Sequence, residues 1–174
     1  MERYQINPQL ALLTPDSHFA QELFDLIDRN RAYLTEHLPW VGKVQTVSDS
    51  QAFLQTAIND FGIKSKIYLI QYKTQLIGVI SFNRIDPANQ EVDIGYWLAQ
   101  DWQGKGIGSQ CLTGLSDMHK GIYQHFVLKC AVKNVKSNAV ARRNGFTFCE
   151  RLPQAECLNG VYYDQNKYVK HIMA

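Results

Sequence analysis

"EVDIGYWLAQDWQGKGIGSQCLTGLSDM", residues 91–118, joins a strand-like run to a helix-like run through a turn with glycines at alternate positions. Gly104, Gly106 and Gly108 at that spacing suit neither a regular helix nor a regular strand. A helix opening at Gly108 or Ser109 leaves its first N–H groups unpaired, and its aligned peptide dipoles make that end positive. Glycines just before it let the backbone curl so that successive N–H groups converge, and the lack of side chains lets an anion approach closely. The stretch reads as a phosphate cradle. A dinucleotide fold asks for G-x-G-x-x-G after the first strand of a βαβ unit, whereas here the spacing is G-x-G-x-G and Ser109 breaks the longer pattern. The nucleotide P-loop pattern G-x-x-x-x-G-K-[ST] is also absent.

Upstream of this turn, "KIYLIQY", "QLIGVISFNRI" and "EVDIGYWLA" are strand-like, with turns at Lys73-Thr74 and at Asp86-Pro87-Ala88-Asn89. Such short connections favour an antiparallel meander. Further upstream lies a strand, "LALLTP", followed by a helix over "DSHFAQELFDLIDRNRAYL" capped at Asp16 or Ser17. A second helix, over "SDSQAFLQTAINDFG", is capped at Ser48 or Asp49 and stopped by Gly62. Downstream, the spacing predicts a helix over 109–121, a buried strand "HFVLKCAV" and a short helix "VKSNAVARRNGF" ending at Gly145. Two closing strands meet at Asn159-Gly160, the strongest hairpin signal in the chain. The order β-α-α-β-β-β-α-β-α-β-β, without repeat or linker, predicts one α/β domain around a mixed, mainly antiparallel sheet.

The 174 residues fit a single domain, and 45% hydrophobic against 20% charged residues is enough apolar material for a core without disulfides or metals. A net charge of +2 gives no ground for nucleic-acid binding. The start "MERYQINPQLALLTP" lacks the pattern of a secretory leader, and no apolar run approaches the ~18 residues of a membrane span. Cys111, Cys130, Cys149 and Cys157 show no C-x-x-C spacing and read as reduced thiols of a cytoplasmic protein. The five histidines include no H-x-x-x-H pair, so no metal site is expected.

Residues 103–108, QGKGIG, fit the Q/R-x-x-G-x-G/A signature of the GNAT acetyltransferases, and their setting after a strand and before a helix fits as well. "LPW" at 38–40, "IGVISFNRID" at 77–86, "DIGYWL" at 93–98, "SNAVARRNGF" at 137–146 and "QAECLNG" at 154–160 resemble the RimJ/RimL group of that family. The resemblance covers nearly all of residues 1–174 as one domain, departing at Asp93, where the group usually has glutamate, and at Cys111 and Cys157. It implies an α+β fold with a central sheet of about seven strands flanked by about four helices. It also implies acetyl-CoA as cosubstrate, no metal, no direct nucleic-acid or membrane partner, and a homodimer. The acceptor implied is the N-terminal amine of a ribosomal stalk protein.

What the resemblance implies residue by residue is a pyrophosphate held by the backbone of Gln103, Gly104, Lys105, Gly106, Ile107, Gly108 and Ser109. The pantetheine arm then lies against Trp97 and Leu98, one of whose main-chain N–H groups polarises the thioester, and against Asn134 and Asn138. Ser137 is placed to protonate the departing thiolate, and Glu156 to take the proton of the attacking ammonium. On the residues alone, Ser137 or Asn134 is equally a helix cap, and Arg142 and Arg143 are either solvated or near the 3′-phosphate of CoA. The group's chemistry is direct attack in a ternary complex; a covalent acetyl-cysteine is the rival, and no cysteine here has a histidine close in sequence. Two other functions fit the same cradle: transfer to a small amine such as a polyamine or amino sugar, and a non-catalytic acyl-CoA-binding regulatory module.

Overall fold

In the computed structural model, which describes residues 1–172, eight strands form one sheet in the order β1-β2-β3-β4-β5-β6-β8-β7. The strands are β1 (Arg3–Gln5), β2 (Leu10–Leu13), β3 (Lys66–Tyr72), β4 (Gln75–Asp86), β5 (Glu91–Leu98), β6 (His125–Ala131), β7 (Thr147–Leu158) and β8 (Val161–His171). The β5–β6 pair is parallel and the other pairs are antiparallel. The fold is the mixed, mainly antiparallel α/β architecture expected, with one strand more than anticipated. That strand, β1, is three residues long and half exposed, so it carries no apolar alternation; its pairing with Leu13, Leu12 and Ala11 defines it.

The period-two alternation of the strands feeds two cores. On one face Ile70, Ile80, Phe82, Ile94 and Phe126 pack beneath α4 (Ile107–Met118) and α5 (Val135–Arg143). On the other, Ala11, Leu13, Leu69 and Val79 meet α1 (Ala20–Arg29), α2 (Arg31–Thr35) and α3 (Val47–Asp60).

Two expectations about helix ends are corrected. The first helical stretch is broken at Asn30, whose Nδ2 donates to the Leu26 carbonyl at 2.8 Å while its Oδ1 accepts from the Gln100 N–H at 3.0 Å. That second bond ties the helix break to the segment just before the glycine turn. The cap of α3 is Thr46, not Ser48 or Asp49; Asp49 stands at the third helical position and closes a capping box on the Thr46 N–H at 2.9 Å. Asp16 does cap its helix, accepting from the His18 N–H at 3.0 Å. The Asn159-Gly160 turn has both residues in the left-handed region, φ 52° and 80°, as a type I′ hairpin requires.

Candidate active site

Parallel strands β5 and β6 pair only from Glu91 with His125 to Ile94 with Leu128. Beyond that point they diverge: Gly95–Leu98 leave one edge of the gap and Lys129–Ala131 the other, while β6 stays paired with β8 to Ala131 and Gln165. A cleft of about 1060 Å³ opens there. Its lining includes Trp97, Tyr33 and Leu34 from one face of the sheet and Ile107, Ser109 and Val140 from the other, so the gap passes through the sheet.

The glycine turn closes one end. Gly106, at φ 76°, is the residue before α4 and offers no side-chain cap, and Gly104 stands at φ 72° with no atom within 4 Å of where a Cβ would be. The helix begins at Ile107, earlier than residue 109, and no side chain caps its first N–H groups. Gln103, Gly104, Gly106, Ile107, Gly108 and Ser109 all line the cleft. Gln103 is fixed by donation from Nε2 to the Leu98 carbonyl at 3.1 Å, and Ser109 by accepting from Asn144 Nδ2 at 3.0 Å. The Lys105 side chain turns out over the Trp102 ring, 5.1 Å from its centroid, leaving only its backbone for the cradle.

On β5 the roles divide differently from the expectation. Ala99 N–H donates to the Ile77 carbonyl at 2.8 Å, and antiparallel alternation then makes Val79–Trp97 a hydrogen-bonded pair. The Trp97 main chain is thus spent on β4, and its side chain packs toward Trp40 on the α1–α3 face. Tyr96 and Leu98 are the residues whose main-chain groups point into the gap.

Helix α5 supplies the opposite wall. Asn134 caps it, Oδ1 accepting from the Ser137 N–H at 3.2 Å, and also lines the cleft. Ser137 is therefore free of capping, and it lines the cleft too. Asn138, by contrast, is buried and saturated. Its Nδ2 donates to the carbonyls of Ala131 (3.0 Å) and Asn134 (2.7 Å), and its Oδ1 accepts from Asn166 Nδ2 (2.8 Å) and the Tyr168 hydroxyl (2.7 Å). No capacity remains for a ligand, so the expected pantetheine contact of Asn138 is withdrawn; it is a brace between α5, β6 and β8. Arg143 lines the cleft, whereas Arg142 donates to the Tyr168 hydroxyl at 3.1 Å.

Glu156 sits at an irregularity of β7, where the register against β8 shifts between Leu152 and Glu156. Half-buried, it lines the cleft and accepts from Gln165 Nε2 at 3.4 Å. Its charge reaches Cys130, whose thiol is pushed up to about 11, chiefly by burial, with Arg142 opposing and Glu156 adding to the rise. Among the described residues Cys130 is the cysteine lining the cleft, and at neutral pH it is a protonated thiol rather than a nucleophile.

Sequence reasoning missed three features. The Tyr96 phenol, raised by burial, faces the Ser137 hydroxyl, while its ring lies 3.5 Å from where a Cβ on Gly108 would stand. Tyr33, Glu36 and His37 of α2 and its following turn reach the cleft. The tip of the β7–β8 hairpin crosses to meet them, Asn159 Nδ2 donating to the Thr35 carbonyl at 3.4 Å. No local pattern marks them, because each is a contact between segments distant along the chain.

This geometry is shared. Residues 9–147 match the family model described as an acetyltransferase (GNAT) domain. The ribosomal-protein-serine acetyltransferase of Escherichia coli (strain K12) is 39% identical over 175 residues, covering 98% of this chain and 97% of its own. The microcin C7 self-immunity acetyltransferase MccE, solved with acetyl-CoA and AMP, is 43% identical, with a TM-score of 0.93 over 96% of this chain and 94% of that one. RimL, a ribosomal L7/L12 α-N-protein acetyltransferase solved with coenzyme A in disulfide linkage to one of its cysteines, is 38% identical, with a TM-score of 0.95 over 98% of both chains. A cleft split into a sheet and closed by a glycine turn at a helix mouth fits acetyl-CoA, and with these relatives it shows that the chain belongs to the GNAT family and is an acetyl-CoA-dependent N-acetyltransferase.

Proposed function

We propose that this enzyme acetylates the N-terminal amine of a protein, a ribosomal stalk protein with an N-terminal serine, by direct transfer within a ternary complex. The observation that carries the chemistry is that one cleft is lined at once by the glycine turn, Ser137 and Glu156. The acceptor is carried over from the relatives at 38% and 39% identity, a ribosomal L7/L12 α-N-protein acetyltransferase and a ribosomal-protein-serine acetyltransferase. Glu156 takes the proton of the attacking ammonium, directly or through one water. A main-chain N–H at the edge of the gap, from Tyr96 or Leu98, donates to the oxygen that gains charge as the amine adds. Ser137 gives its hydroxyl proton to the sulfur as the C–S bond breaks, and the protonated thiol of Cys130 supports transfer without an acetyl-cysteine. Asn134, Leu98 and the backbone of Gln103–Ser109 are the proposed cofactor contacts, with Trp97 contributing its side chain alone and Arg143 its charge.

A second reading rests on the 43% identity to MccE and the AMP bound there: the acceptor amine then belongs to a compound that carries a nucleotide, of which an aminoacyl nucleotide is one form with a free amine. Transfer to a polyamine or amino sugar is the third. Incubation with acetyl-CoA and a panel of seryl peptides, an aminoacyl-nucleotide mimic and free amines, followed by mass spectrometry, tests all three. Acetylation of polyamines in preference to the peptides would overturn the leading reading, and binding without turnover on any amine would leave a regulatory module. The homodimer implied by the resemblance is carried as part of the proposal, consistent with the unpaired outer edge of the 12-residue strand β7, and sedimentation velocity tests it.

A further inference from the structure

The motif "IGVISFNRID" contributes a residue to the cleft that the chemistry above does not use. In β4 the register against β5 slips between Phe82, opposite Ile94, and Arg84, opposite Asp93, so Asn83 is the extra residue of a β-bulge. A bulge places two successive side chains toward one face. Arg84 is taken up there by Asp93 at 2.9 Å and Glu91 at 2.5 Å. Asn83 instead lies across Gly95: a Cβ on that glycine would stand 2.5 Å from Asn83 Nδ2. Gly95 is the first residue past the last β5–β6 pair, the apex from which the strands diverge. By period-two alternation its missing side chain points to the face of Trp97, where α1 and α2 pack, rather than to the face of α4 and its glycine turn. Asn83 therefore stands at the apex of the cleft, on the side opposite the phosphate cradle.

Its carboxamide has one partner among the described residues. The buried Ser81 hydroxyl donates to Asn83 Oδ1 at 2.5 Å, and among the described residues no group accepts from Nδ2. An N–H donor pair repels an ammonium and seeks an oxygen. Resting on the proposed transfer to an amine, the geometry points to Asn83 as an acceptor-binding residue that donates to the carbonyl oxygen beside the reacting amine, so that the substrates are α-aminoacyl compounds. Peptide N-termini and aminoacyl nucleotides both present that carbonyl; polyamines do not.

The test compares wild type with Asn83→Ala on three acceptors. These are a seryl peptide, a hydrolysis-resistant seryl-nucleotide mimic, and ethanolamine, which keeps the amine and hydroxyl but lacks the carbonyl. Loss of one hydrogen bond is expected to raise KM for the carbonyl-bearing acceptor about 5- to 10-fold. The KM for acetyl-CoA and the rate with ethanolamine stay unchanged. Whichever of the peptide and the mimic wild type uses identifies the source of the aminoacyl group. Asn83→Leu, which nearly keeps the size but can neither donate nor carry charge, gives the same selective loss. Both variants leave the buried Ser81 hydroxyl without its acceptor, so Tm falls by a similar few degrees in each and the kinetics are compared below it. An equal loss on ethanolamine, no loss on any acceptor, or a wild type that uses ethanolamine as well as the peptide overturns the assignment while leaving acetyl transfer standing. A wild type that binds acetyl-CoA yet acetylates no amine overturns the transfer reading and this inference with it.

Discussion

Replacing Glu156 by glutamine keeps the shape and an acceptor for Gln165 Nε2 but removes the proposed base. An N-terminal amine has a reference pKa of ~7.7–8.0, so at neutral pH much of it carries the proton that blocks attack. Glu156→Gln is expected to bind acetyl-CoA normally and to lose ~10²–10⁴ in kcat, partly recovered as pH rises and the free amine becomes abundant. Wild-type kcat at neutral pH in a steady-state assay removes Glu156 from the mechanism. Asn138 makes the contrasting case at the same scale. Asn138→Ala strands the Tyr168 and Asn166 donors, while the Ala131 carbonyl keeps the Asn134 N–H at 2.9 Å. A loss of about 2–3 kcal/mol follows, which for a chain of this size lowers Tm by roughly 4–12 °C. Calorimetry should show that drop, with acetyl-CoA affinity of the folded variant little changed. Weakened cofactor binding without a lower Tm would restore the ligand role that the hydrogen bonds argue against.

Among the elements, the turn before α4 depends on a left-handed residue. Gly106 has open space around it, with Gln110 Nε2, 4.0 Å away, the nearest atom to where a Cβ would stand, so what a side chain meets there is conformational cost rather than a clash. Gly106→Val asks a β-branched residue to hold φ near 76°, costing about 1–2 kcal/mol or more, or else to reshape the cradle. Its expected signature is a strong loss of CoA affinity by titration calorimetry with the remaining fold intact; unchanged affinity means the phosphate lies elsewhere. This turn was readable in the sequence because its chemistry is local, as were the alternation of β5 and the Asn159-Gly160 hairpin. What escaped was set by partners far along the chain. Strand β1 exists through its pairing with β2, and the break at Asn30 is completed by Gln100, 70 residues away. The direction of the Trp97 main chain depends on the register with β4, and Asn138 resembled a ligand-binding amide until β8 supplied partners 28 and 30 residues distant. Asn83 gained its place only from a bulge, which no period-two pattern announces.

For the molecule as a whole, the cleft makes stability and ligand binding one measurement. A cosubstrate bound by the folded state alone, at a hundredfold excess over its Kd, stabilises by ~2.7 kcal/mol, or roughly 5–10 °C in Tm for a domain of this length. Thermal melts with and without acetyl-CoA check this, and no shift at saturating cosubstrate contradicts a cleft ready to bind. The divergence of β5 from β6 has a consequence for turnover as well. Four residue pairs join the two halves of the sheet, and past them the proposed grip on a ligand is made by main-chain groups of Tyr96 and Leu98 and by the turn at Gly104 and Gly106. The part of that grip made by the turn meets the pyrophosphate, which spent CoA and the charged form share. Spent CoA is therefore expected to compete with acetyl-CoA for the cleft, and the enzyme's pace would then fall as the ratio of acetyl-CoA to CoA falls.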